Sequence, residues 1–169
     1  LWHGPDAGLI HSHSLLSDAP SDFAGYRPGN FTPGFSGPVT AAEALRRSLN
    51  LPAVQLLDAL GPAVFTARLR QGGLSLHLPT GAKPNLSLIL GGAGVRLEAL
   101  LGAFAALGRD GMAAAPRYRL DEALHERYLL SPGAAWIVAE ILRAQPRPGQ
   151  RQAKQRSAVA WKTGTSYGY

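Results

Sequence analysis

Ser157-Ala158-Val159-Ala160-Trp161-Lys162-Thr163-Gly164-Thr165-Ser166 joins small, β-branched and aromatic residues into a run that reads as a β-strand. Alternation along such a strand presents Lys162 toward a cleft, and Gly164 omits the side chain that would block a molecule lying alongside. Thr165 adds a hydroxyl suited to a carboxylate. A short Lys-Thr-Gly order arises often by chance, so its weight depends on what precedes it.

Upstream, residues 145–156 hold two Pro, one Gly and many Gln and Arg, the composition of a basic loop. Before that loop, Ser131 is placed to cap a helix with Pro132 at its first position, running on through residues 134–143. Residues 117–128 alternate too irregularly to assign, although Tyr118 and Leu120 suit one face of a short strand. Residues 97–108 place Leu97, Leu100, Leu101, Phe104, Ala105 and Leu107 at helical spacings with Gly111 beyond as a stop, which predicts a core helix. Residues 74–85 read as loop. Pro62 opens another helix that ends at Gly72-Gly73.

Thr40-Ala41-Ala42-Glu43 has the spacing of a capping box, so a helix should begin near Ala41. Pro52 disfavours helical backbone at Leu51 yet suits the first turn of a new helix, which would run to Leu60 and stop at Gly61. Ser48-Leu49-Asn50 therefore sits on a helix-to-helix junction. Residues 1–38, rich in Gly, Pro, Ser and Asp, read as an irregular segment hugging the surface. The expected organisation is one partial domain over residues 1–169, with an irregular lead-in to 39, a helical region over 40–143, a basic loop over 144–156 and a terminal strand over 157–169.

Together these segments carry a resemblance. Lys162-Thr163-Gly164 matches the Lys-Thr-Gly signature of serine penicillin-binding proteins and class A β-lactamases, and Ser48-Leu49-Asn50 matches the Ser-x-Asn form of their middle motif. Adding Tyr26-Arg27-Pro28-Gly29-Asn30-Phe31 and Leu90-Gly91-Gly92-Ala93-Gly94-Val95, the chain resembles bifunctional penicillin-binding proteins of the 1C type from about Ala7 to Tyr169. The resemblance implies an α+β transpeptidase fold, an antiparallel sheet packed with helices beside an all-helical region. This stretch would supply mostly helix and one C-terminal strand.

The same resemblance implies a D,D-transpeptidase that cross-links peptidoglycan stem peptides through an acyl-serine intermediate, binds penicillin, and works at the periplasmic face of the inner membrane. It assigns a proton relay to Ser48, the substrate amide to Asn50, positive potential and relay support to Lys162, and the substrate-lining surface to Thr163, Gly164 and Thr165. No metal or organic cofactor is implied. The family's nucleophile motif is Ser-x-x-Lys, and no serine in this sequence has a lysine three places later. The resemblance puts that motif shortly upstream of Ala7, so the chain by itself is expected to be inactive and to self-associate through an unpaired strand. A non-catalytic domain of the same fold that binds peptidoglycan or a partner protein is the alternative.

Composition narrows the rest. With 169 residues, 46% hydrophobic and 17% charged, the chain can bury one sizeable core and no more. A net charge of +6 and a pI near 10.2 favour anionic partners. However, the basic stretch 143–156 lacks interleaved aromatics for base stacking, so no nucleic-acid partner is expected. The absence of cysteine excludes disulfides and thiolate metal sites. His11 and His13 lack a nearby Asp, Glu or Cys to complete a ligand set, and Gly91-Gly92-Ala93-Gly94 lacks both the last Gly of a dinucleotide loop and the Lys-Ser/Thr of a P-loop.

Overall fold

A computed structural model describes residue 8, residues 10–145 and residues 159–164. The predicted irregular lead-in contains ordered sheet: β1 (Leu15–Asp18) pairs antiparallel with β2 (Gly37–Thr40), setting Leu16 opposite Val39 and Asp18 opposite Gly37. The inward residues of β1 are Leu16 and Asp18. A buried aspartate breaks the apolar alternation that marks a strand in sequence, which is why the pattern hid it.

The Thr40 hydroxyl accepts the Glu43 N–H at 3.1 Å and starts α1 (Ala41–Arg47), as the capping box requires. Next comes α2 (Asn50–Leu60), with Pro52 in its first turn and Gly61, at φ 86°, as its stop. Helix α3 (Pro62–Gln71) has Pro at its first position. A 3-10 turn at Leu86–Leu90 and an isolated bridge between His77 and Gly94 lead to α4 (Leu97–Ala105), which tightens into a second 3-10 turn at Ala106–Gly108. Strands β3 (Met112–Ala114) and β4 (Glu126–Tyr128) pair antiparallel, and α5 (Pro132–Arg143) follows its Ser131 cap.

Helix α4 has the predicted period but turns a different face inward. Leu97 is 79% and Leu101 57% exposed, whereas Gly102, Ala103 and Ala106 are buried. The backbone explains the choice, because a Cβ on Gly102 would strike the Ala114 carbonyl. The small residues thus let α4 lie directly against β3, Leu100 and Leu107 of the predicted face still pack on the core, and Leu97, Leu101 and Phe104 point away. The strand expected around Tyr118 and Leu120 lies instead at Glu126–Tyr128, and both of those side chains are exposed.

Three buried clusters form the interior among the described residues. Leu69, Leu74, Ala103, Ala106, Ala113, Leu129, Leu130, Ala134 and Ala135 join α3, α4, β3 and α5. Leu16, Val39, Ala41, Ala44, Leu49 and Leu56 join the first sheet to α1 and α2. Helix α1 also packs its Leu45 against Val138 and Leu142 of α5. Because α1 is gripped on both sides, the position of its C-terminal end is set by the core.

Residues 159–164 do not form part of a strand, in contrast to the predicted C-terminal strand. A strand exists only through a paired neighbour, and the described strands pair with one another, β1 with β2 and β3 with β4. Residues 157, 158 and 165–169 of that stretch lie outside the described residues, as does the basic loop from 146 to 156. Among the described residues no helix is long and apolar enough to cross a membrane.

Candidate active site

Ser48 stands where α1 ends. Its N–H donates to the Leu45 carbonyl at 3.2 Å and the N–H of Leu49 to the Ala44 carbonyl at 3.0 Å, the paired bonds of a Schellman stop. Leu49 and Ala44 also meet in one buried cluster, supplying the apolar contact of that motif. Such a stop needs a left-handed residue, and Ser48 takes it at φ 57° and ψ 41°. Glycine fits that conformation without strain, so a serine there stores conformational energy at the junction.

Lys162, 114 positions later, donates from Nζ to Ser48 Oγ. It also donates to the Thr163 carbonyl at 2.8 Å and to the Thr163 hydroxyl at 3.4 Å. All three acceptors are neutral, and no carboxylate among the described residues pairs with this ammonium. Partial burial lowers the Lys162 pKa below the usual lysine value, because desolvation disfavours the charged form. Among the described residues the group is therefore a cation without a carboxylate partner, donating a hydrogen bond to a serine hydroxyl.

Asn50, the first residue of α2, makes its bonds elsewhere. Its Nδ2 donates to the Gly29 carbonyl at 2.7 Å and its backbone N–H to Asn30 Oδ1 at 2.9 Å. The carbonyl can only accept, so the nitrogen side of the Asn50 amide must face Gly29. That leaves Oδ1 and one N–H for another partner. Thr163 and Gly164 are exposed beside Lys162, and Thr165 lies outside the described residues.

Asp18 and Asn30 are the residues that sequence reasoning missed. An Asn in a Pro-Gly turn reads as a turn former, and an Asp between a Ser and an Ala-Pro reads as loop, so neither carried a signal of its own. His11 and His13 face each other with ring centroids 6.4 Å apart, and His11 Nδ1 already accepts the His13 N–H at 3.1 Å. An apolar crevice between Ile10, Ala41, Leu45, Ile137 and Ile141 contains none of the site residues.

No family model matches the chain. It is 56% identical over 165 residues to penicillin-binding protein 1C of Escherichia coli (strain K12), a match covering 97% of the chain and 21% of that protein. The chain thus spans about a fifth of that relative's length. Penicillin-binding protein 3 from Mycobacterium tuberculosis superposes with a TM-score of 0.72 at 19% identity, over 88% of this chain and 40% of that one. The PonA1 protein of the same organism, in complex with penicillin V, gives 0.68 at 20% identity over 85% and 44%. Sequence along nearly its whole length and the fold agree: the chain belongs to the penicillin-binding proteins and matches a segment of their 1C type.

Proposed function

We propose that this chain supplies two of the three motifs of a peptidoglycan D,D-transpeptidase site, acting at the periplasmic face of the inner membrane. The observation that carries the reading is the hydrogen bond from Lys162 to Ser48, which joins two motifs far apart in sequence. In the reaction a serine outside this chain's motifs attacks the carbonyl of the penultimate D-Ala of a stem peptide. The bond to the last D-Ala breaks, and that D-Ala leaves with a proton. A neighbouring strand's amine then takes the acyl group from the serine and loses a proton.

Ser48 is suited to carry those protons, since its hydroxyl both donates and accepts and already touches Lys162. The uncompensated charge of Lys162 favours the carboxylate of the terminal D-Ala and, by the same chemistry, the carboxylate of a β-lactam. Asn50 offers the substrate amide its remaining N–H or Oδ1, and Thr163 and Gly164 border the peptide. The Thr165 N–H would be one oxyanion donor. Self-association belongs to the same reading, since a C-terminal stretch of strand composition would template pairing with another copy.

The test uses the full-length protein that carries this chain. Lys162→Ala should slow acylation by a fluorescent penicillin about a hundredfold, the usual loss for one preorganised electrostatic group, with the circular dichroism unchanged. Acylation at the parental rate would remove Lys162 from the site and the proposal with it.

A further inference from the structure

The Ser48-Leu49-Asn50 junction is held from outside by a residue to which no catalytic step has been assigned. Asp18 is completely buried. One carboxylate oxygen accepts from Asn30 Nδ2 at 2.7 Å and the other from the Ser36 N–H at 2.9 Å. No cationic side chain among the described residues pairs with it. A carboxylate buried with only neutral donors is expensive to keep, and it is tolerated where every lone pair is aimed at a fixed partner.

Asn30 uses its whole amide. Its Nδ2 hydrogens go to Asp18 and, at 3.1 Å, to the Gly34 carbonyl, while its Oδ1 accepts the Asn50 N–H. Asp18 and Gly34 only accept and the Asn50 N–H only donates, so the amide has one permitted orientation. That last bond also fills a gap. Helix α2 begins after Leu49, which offers no capping side chain, and Asn30 caps it from 20 residues earlier in the sequence. Its neighbour Gly29 holds the Asn50 side chain through the bond to Nδ2.

We infer that Asn30, anchored by the buried carboxylate of Asp18, is a positioning residue that fixes the Asn50 backbone, with it the Asn50 side chain, and through the two-residue connection the Ser48 hydroxyl. Residues 29 and 30 grip Asn50 by backbone and side chain together, while the Schellman bonds hold Ser48 from the other side. With Asn30 gone, α2 loses its cap and the Asn50 backbone loses the bond that keeps its side chain in register with the Gly29 carbonyl. A displacement near 1 Å at a reacting group is enough to slow a reaction about a hundredfold. The inference rests on the proposed transpeptidase reading.

The test measures penicillin acylation of the full-length protein, separating the rate constant at saturation from the half-saturating concentration, together with Tm. Asn30→Ala and the isosteric Asp18→Asn should each lower the saturating rate constant about tenfold to a hundredfold, at a temperature well below every Tm in the set. Leu130→Ala, in a separate buried cluster, serves as the control and should lower Tm while leaving the rate constant at the parental value. If Asn30→Ala yields no folded protein, Asp18→Asn decides by the same criterion. Parental rate constants in the Asp18 and Asn30 variants, with Lys162→Ala still slow, overturn the positioning role alone. A parental rate in Lys162→Ala overturns the transpeptidase reading on which that role depends.

Discussion

At Ser48 stability and function pull against each other. A non-glycine residue in the left-handed region is strained by about 1–2 kcal/mol, and Ser48 sits there at φ 57°. Ser48→Gly should therefore raise the stability of the protein by about 1 kcal/mol, read as a higher urea midpoint. It should at the same time slow penicillin acylation of the full-length protein, because the hydroxyl that Lys162 touches is gone. A variant that is both less stable and fully active would contradict the conformational and the chemical account together. Asn50 differs, since one side-chain N–H is held by Gly29 while the other N–H and Oδ1 stay available.

Among the elements, α1 does most to place the site, since Ser48 is its last stop and the core grips it on two faces. Thr40→Ala removes the hydroxyl that accepts the Glu43 N–H, and should cost about 1 kcal/mol of stability in urea unfolding. An unchanged midpoint would mean that packing alone defines the start of α1. Helix α4 gives the opposite lesson about faces. Leu101→Ala, on its exposed side, should change stability by no more than about 0.5 kcal/mol. Leu130→Ala, at a position only 2% exposed, should cost about 2–5 kcal/mol. Equal losses at the two sites would show that α4 is buried in solution by something that covers its Leu97 and Leu101 face.

For the whole molecule, the proposed chemistry divides between what this chain holds and what it does not. Lys162 lies against Ser48, yet no serine in the sequence has a lysine three places on. The 169-residue chain on its own should therefore not be labelled covalently by a fluorescent penicillin, which gel fluorescence and intact mass will show. Stoichiometric labelling at any serine would reveal a nucleophile activated in some other way. Among the described residues, 10–145 contain every member of the three buried clusters and 159–164 contribute none.

Local rules determined the helices. The capping box at Thr40, Pro52 in a first turn, Pro62 and Pro132 at first positions, and Gly61 as a stop act through the backbone of their own neighbours, so their effect is written in the order of residues. The motifs Ser48-Leu49-Asn50 and Lys162-Thr163-Gly164 were legible for the same reason, as residue types at fixed spacing. Tertiary structure decided what depends on distant neighbours. It chose the inward face of α4, because only the approach of β3 makes Gly102 and Ala103 better packers than Leu97 and Leu101. It turned Asp18 inward on a strand that no alternation announced, and it placed Asn30 where α2 lacked a cap. Residues 159–164 had the composition of a strand without forming one, since composition does not supply the paired N–H and C=O groups that a strand requires.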